Sequence, residues 1–306
     1  MYRFIEGKVS SPADLRRPDI YRGVAKRLAE WHATLPISAI TRGIGVQGHI
    51  KEDMTRERRA SIEQTEGLTP NKPTPNIWTV IQKWILALPT DTELEVKRRD
   101  QLQQEIEWLY KELGDTPGIA NLPLVFGHCD LLSGNVIIQQ CTNFSPPSSS
   151  ASSPAPSSAS SDQPTATVSF IDYEYATPAP AAFDIANHFA EWGGFDCDMS
   201  VMPTRSQRRD FITSYLVTFN NLLDREPLQQ SELDQLFAEI DLFRGAPGFY
   251  WGVWALIQAT ISQIDFNYAN YAEVRLSEYW AWKEAHTNSR NGDPPLRERR
   301  WAEEDD

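Results

Sequence analysis

Val125-Phe126-Gly127-His128-Cys129-Asp130-Leu131-Leu132-Ser133-Gly134-Asn135-Val136-Ile137-Ile138 sets an Asp and an Asn five apart behind a His, at the mouth of an apolar, β-branched run. A second run, Val168-Ser169-Phe170-Ile171-Asp172-Tyr173-Glu174-Tyr175, ends in two carboxylates. β-Branched and aromatic residues fit a pleated, half-buried surface, so these runs predict short strands at roughly 136–140 and 167–171. Joined as a hairpin, they carry Asn135 and Asp172 at its base. The surroundings have the helical period instead. Apolar residues at 20, 24, 28, 31 and 35 mark a helix closed by Pro36, and Ile77, Ile81, Trp84, Ile85 and Leu88 mark another stopped by Pro89. Leu102, Ile106, Leu109 and Leu113 mark a third, over 97–113. Beyond Phe183, helices are expected at about 183–192, 205–224, 229–241, 246–263 and 268–286. The fold class is α+β, mostly helical, with one short β-hairpin.

The chemistry follows from the residue types. Phosphoryl transfer needs a group that orients the attacking hydroxyl and oxygens that hold Mg²⁺. Asp130 suits the first role, and Asn135 with Asp172 suits the second. A bare HxDxxxxN pattern is weak, and a downstream strand ending in Asp makes it fairly specific. With Phe183-Asp184-Ile185-Ala186-Asn187-His188-Phe189-Ala190-Glu191-Trp192, these runs resemble the choline/ethanolamine kinases. The likeness continues through residues 251–259 and 264–268 and runs from the first residues to about 285, broken by one insertion. Cys129 is a departure, since many relatives carry Asn there.

The resemblance implies the large, C-terminal lobe of a protein-kinase-like fold over residues 1–286, with a polar tail, 287–306, expected to fray. It implies ATP and Mg²⁺, and the phosphorylation of ethanolamine to phosphoethanolamine, which opens one route to phosphatidylethanolamine. Leu131-Leu132 resembles ethanolamine kinases, whereas choline kinases often place Gln at the second position. The acidic 196–198 region after Glu191-Trp192 points the same way, because –NH₃⁺ has donors to satisfy and choline has none. Choline kinase stays as the alternative, as does a non-catalytic large-lobe fragment that acts by binding. A homodimer is left open.

Roles follow residue by residue. His128 is expected to hold the loop through backbone contacts, and Asp184 to tie it from behind. Asp172 is the better metal ligand; Glu174, two residues on and on the same face if the strand continues, reaches a second Mg²⁺ or stands as a solvated carboxylate. Asn187 and His188 are expected to pack and hydrogen-bond. Glu191 faces the cationic substrate. Aromatic stripes are usually core, but the resemblance assigns Trp251 and Trp254 to one wall of an amine pocket and Phe266 and Tyr268, with Tyr271, to the other. Aromatic faces attract an ammonium by about 0.5–2 kcal/mol per contact.

Arg3-Phe4-Ile5-Glu6-Gly7 resembles the linker between kinase lobes, with Phe4 and Ile5 at the adenine. The small lobe's glycine-rich loop, strand Lys and helix Glu have no place in residues 1–306, so the chain as written is expected to phosphorylate ethanolamine very weakly or not at all. Gly43-Ile44-Gly45-Val46-Gln47-Gly48 matches GxGxxG but follows the linker and lacks strand flanks, so it is read as a decoy.

Composition sets the outer bounds. The 306 residues can bury a sizeable core. The formal charge of −13 argues against nucleic acid or an anionic membrane as partner and suits a cationic substrate. Three Cys, at 129, 141 and 197, have neither metal-ligand nor disulfide spacing, and no apolar run is long enough to span a bilayer; a cytoplasmic enzyme is expected. The insertion at 143–165 is almost all Ser, Pro, Ala and Thr, too poor in apolar surface to order itself, and is read as a spacer.

Overall fold

The structure, a computed structural model, describes residues 4–37, 75–139, 165–289 and 292–304. The Gly43–Gly48 run, the short helix expected near 52–64, Cys141 and nearly all of the 143–165 insertion lie outside the described residues.

Two small sheets carry the site. β1 (Lys8–Val9), β3 (Val136–Ile138) and β4 (Val168–Phe170) form one antiparallel sheet in the order β1-β3-β4, with Val9 opposite Ile137 and Val136 opposite Phe170. The last two strands are three residues long rather than five. β2 (Val125–Gly127) pairs with β5 (Thr177–Ala179), Phe126 opposite Pro178. None of β1, β2 and β5 was expected. Two or three residues show no period, and Pro178 is tolerated because a two-stranded sheet has only edges.

Helices follow their periods and caps closely. After the single turn α1 (Pro12–Leu15), α2 (Pro18–Thr34) opens on Pro at its first turn and buries Ile20, Val24 and Leu28. Capping boxes start α3 (Ile77–Leu86) at Asn76/Thr79 and α4 (Glu93–Leu113) at Thr92/Glu95; the second moves α4 four residues ahead of its apolar period. α5 (Ala181–Ala190) is buried at every position. Another box, Thr204/Gln207, begins α6 (Arg205–Leu222), which packs on α2. α7 (Gln230–Phe243) leads into α8 (Ala246–Ile261), and α9 (Tyr268–His286) lies along α8. That approach is close. A Cβ at Gly248 would stand 2.6 Å from Arg275 O, and one at Gly252 2.7 Å from Leu276 Cγ, so glycines one turn apart seat α9.

The tail departs from expectation. Residues 296–302 form α10 (Leu296–Ala302), and Trp301 is 5% exposed. Trp301 covers the buried Arg208 guanidinium, 3.9 Å from its ring centroid, and donates to Asp241 Oδ1 at 2.7 Å. One tryptophan anchors an otherwise charged segment, and no local pattern announces that.

Candidate active site

The loop from His128 to Asn135 has little regular structure of its own, so its backbone groups need partners. One face of α5 supplies them. Asp184 accepts from the backbone N–H of His128 at 2.8 Å and of Cys129 at 2.7 Å. Asn187 donates to Cys129 O at 3.0 Å, and His188 donates from Nδ1 to Leu131 O at 2.8 Å. These side chains stand three and four residues apart, the spacing of one helix face. His32 Nε2 lies 2.9 Å from Asp184 Oδ2 and its Nδ1 2.7 Å from Tyr215 OH, so α2 and α6 brace the carboxylate. Burial pushes the Asp184 carboxyl up, but hydrogen bonds and the neighbouring histidines outweigh it and hold it below the ordinary range. Burial drives His188 down to about 4, so its neutral ring donates from Nδ1 and accepts Trp192 Nε1–H on Nε2, 3.4 Å away.

At the loop's mouth, His128 Nε2 donates to Ile171 O at 3.1 Å, and the Ile171 N–H reaches Asn135 O at 3.1 Å. Asn135 spends its amide nitrogen on Asp130, on the backbone O at 2.8 Å and Oδ2 at 3.0 Å. Asp130 is 6% exposed and its Oδ1 is buried without a partner. Burial first, then repulsion from Glu191, Asp172 and Glu174, pushes its carboxyl up to about 8. Such a carboxyl in a negative surround is a proton acceptor waiting for a cation nearby.

Asp172 and Glu174 both reach solvent beyond β4. The strand does not continue to carry them on one face: β4 ends at Phe170, and Asp172 has φ 59°, the left-handed region, which breaks the alternation. Among the described residues no group of three or more His, Cys, Asp or Glu side chains gathers as a metal cage. The donors Asn135, Asp172 and Glu174 are all oxygen-bearing and few, which fits a Mg²⁺ completed by phosphate and water. The orphan Asp130 Oδ1 and the mutual repulsion of the carboxylates are what a cation would relieve.

An aromatic wall stands beside this loop. Trp251 donates to Asn187 Oδ1 at 2.8 Å, and Trp254 to Tyr175 OH at 2.9 Å. Ring centroids run Trp251 to Trp254 at 5.4 Å, Trp254 to Tyr268 at 5.7 Å, Tyr268 to Phe266 at 4.9 Å and Phe266 to Tyr271 at 5.6 Å. Phe195, 6.1 Å from Phe266, also lines a cavity of about 410 Å³ with Leu132, Ser133, Glu191, Asp196 and Asp198. Glu191 does not stand free: it is 3% exposed, and its Oε1 takes Arg275 Nη1 at 3.1 Å. Burial raises its carboxyl, with Arg275 opposing.

Phe4 is 83% exposed ahead of β1, and Ile5 is half-buried. His32, Tyr175 and Arg275 entered no sequence argument. Tyr175 directly follows the two carboxylates and could have been weighed with them. His32 and Arg275 meet their partners only across 152 and 84 residues.

Known proteins align with this arrangement. The family model described as choline/ethanolamine kinase matches residues 1–280. The ethanolamine kinase of Drosophila melanogaster is 31% identical over 92% of this chain and 46% of its own length, and ethanolamine kinase 1 of Mus musculus 29% identical over 92% and 65%. The chain thus spans about half to two thirds of the length of these relatives. A solved ethanolamine kinase from Plasmodium vivax has the same fold, with a TM-score of 0.59 at 24% identity, over 90% of this chain and 64% of the other. No helix among the described residues is long and apolar enough to cross a membrane. By the family match over most of its length, and with a loop, strand end and helix placed as above, the chain belongs to the choline/ethanolamine kinase family.

Proposed function

We propose that this protein transfers the γ-phosphoryl group of ATP to the hydroxyl of ethanolamine, with residues 1–286 as the large lobe of the kinase and β3 and β4 as its catalytic hairpin. Asp130 accepts the hydroxyl proton as the alcohol oxygen bonds to phosphorus and ADP departs. Asn135 keeps the Asp130 carboxyl in one rotamer. Asn135 and Asp172, with Glu174 beside them, would hold Mg²⁺, which neutralises charge developing on the phosphates when bound. Trp251, Trp254, Phe266 and Tyr268 give the ammonium aromatic faces, and Glu191 gives it an acceptor. Phe4 and Ile5 would contribute backbone to the adenine.

The observation that carries this reading is Asn187. A single amide holds Cys129 O at 3.0 Å and Trp251 Nε1 at 2.8 Å, so the loop bearing the base and the aromatic wall are one side chain apart. That juxtaposition suits a small molecule with a hydroxyl at one end and a cation at the other. Three carboxylates, Glu191, Asp196 and Asp198, against one guanidinium, Arg16, line the cavity and favour a primary ammonium, as do the names of the relatives. Choline is the second reading, favoured by the aromatic faces alone.

The test is phosphorylation of ethanolamine and choline with Mg²⁺-ATP, by residues 1–306 and by the same chain with a family small lobe joined upstream of Met1. Phosphoethanolamine from either, lost in Asp130→Asn, is the expected result. No phosphorylated product from both chains overturns the activity. Preferential phosphocholine overturns the choice of amine.

A further inference from the structure

Behind the aromatic wall the buried charges alternate in a line. Glu191 Oε1 meets Arg275 Nη1 at 3.1 Å, and Arg275 Nε lies 3.6 Å from Glu278 Oε2. Arg297 Nε stands 3.9 Å from that same oxygen, and its Nη1 3.0 Å from Glu298 Oε1; Arg244 Nη2 closes the line 2.8 Å from Glu298 Oε2. Three carboxylates and three guanidinia cancel, so the line needs no counter-ion from outside. Its first member lines the cavity beside the catalytic loop.

Arg275 is the unexpected member. It is 0% exposed, and a guanidinium beside a pocket for a cation repels the ligand it should admit. Its contacts show what offsets that. It donates to Glu191 through Nη1 only, while the same nitrogen lies 3.3 Å from Tyr271 OH and the guanidinium carbon 5.7 Å from the Tyr271 ring centroid. Tyr271 in turn packs on Phe266 and Phe195. One side chain therefore ties Glu191, at the cavity, to the aromatic cluster of Tyr271 and Phe266. Glu191 Oε1 is taken, and Oε2 makes no hydrogen bond among the described residues.

Resting on the amine site proposed above, we infer that Arg275 is a positioning residue for amine selectivity: by engaging one oxygen of Glu191 it presents the other to the cavity as the acceptor for a primary ammonium. A primary ammonium donates to that oxygen, and a trimethylated one has nothing to donate. Arg275 should thus matter to ethanolamine and hardly to choline. Loss of the residue as a mere structural prop would weaken both alike.

Binding without turnover decides it. Ethanolamine or choline binding to the folded chain is followed by isothermal titration calorimetry, with melting checked for each variant. Arg275→Met with Glu278→Gln removes a buried cation and anion together and keeps the line neutral, leaving Glu191 as the carboxylate whose placement is tested. In that variant the ethanolamine Kd is expected to rise about tenfold, the scale of one charge-assisted hydrogen bond, and the choline Kd by less than about threefold. Arg275→Lys, a milder change for use if the double variant does not fold, should shift the same ratio by about threefold. Equal losses for both amines, or no loss for ethanolamine, overturn the inference. If the unaltered chain binds neither amine, the amine-site reading fails first and takes this one with it.

Discussion

Asp130 shows how far one buried carboxyl can be moved. Its ordinary value is 3.8 and burial among other acids brings it to about 8. Between those values the folded state keeps a proton that the unfolded chain releases, so stability falls as pH rises through that window. Asp130→Asn removes the liability along with the base. Turnover is expected to drop by about 10²–10⁴, while the metal-free melting temperature at pH 8 stays level or rises. A parallel loss of both would mean the carboxyl is structural. His188 has the opposite sign. Its folded value of about 4 lies under the ordinary 6.5, so its contribution is whole above pH 6.5 and is lost as pH falls towards 4. The loss is on the order of 3 kcal/mol. Denaturation midpoints measured across that range should flatten in His188→Asn, which can still donate to Leu131 O.

At the scale of elements, α5 is the part on which the loop depends. Asp184 alone satisfies two backbone donors and His32, all fully buried. Asp184→Ala strands three donors and should cost about 3–5 kcal/mol, read as a fall in denaturation midpoint. Its effect fades at the acid end, because a carboxyl held below its ordinary 3.8 gives stability that is present above that pH and lost beneath it. α10 acts from the far side. Trp301→Ala uncovers Arg208 and empties a large buried site, for an expected cost of about 3–5 kcal/mol in a urea titration. A change under about 1 kcal/mol would return the tail to the frayed state its composition suggests.

Over the whole molecule, β3 and β4 are tied before the insertion begins and after it ends. Gln139 N–H reaches Thr167 O at 2.9 Å, and Ala166 N–H reaches Asp19 O at 3.0 Å. Both flanks are thus held by backbone bonds independent of what joins them. Replacing residues 145–164 with a short Gly-containing turn is expected to leave the melting temperature within a few degrees and turnover within about twofold. A several-fold loss of turnover would show that the insertion touches the site.

Local chemistry was enough for much of this protein. Period and terminating prolines placed the long helices, since side-chain burial repeats along the chain itself, and the His128–Asn135 and Ile171–Tyr175 runs located the loop and the strand end because their chemistry is written in consecutive residues. The tie from Asp184 to the loop was also expected, as were hydrogen bonds from Asn187 and His188. The partners of Asn187 and His188 were not. Asn187 bridging Cys129 to Trp251, His32 bracing Asp184, Arg275 claiming one oxygen of Glu191 and Trp301 folding the tail all join residues that are distant in the chain. β1, β2 and β5, at two or three residues each, exist only because a partner strand completes their hydrogen bonds. Contacts of this kind are chosen by packing, where burial makes an unpaired polar group costly and leaves one arrangement that pairs them, and that choice belongs to the tertiary structure alone.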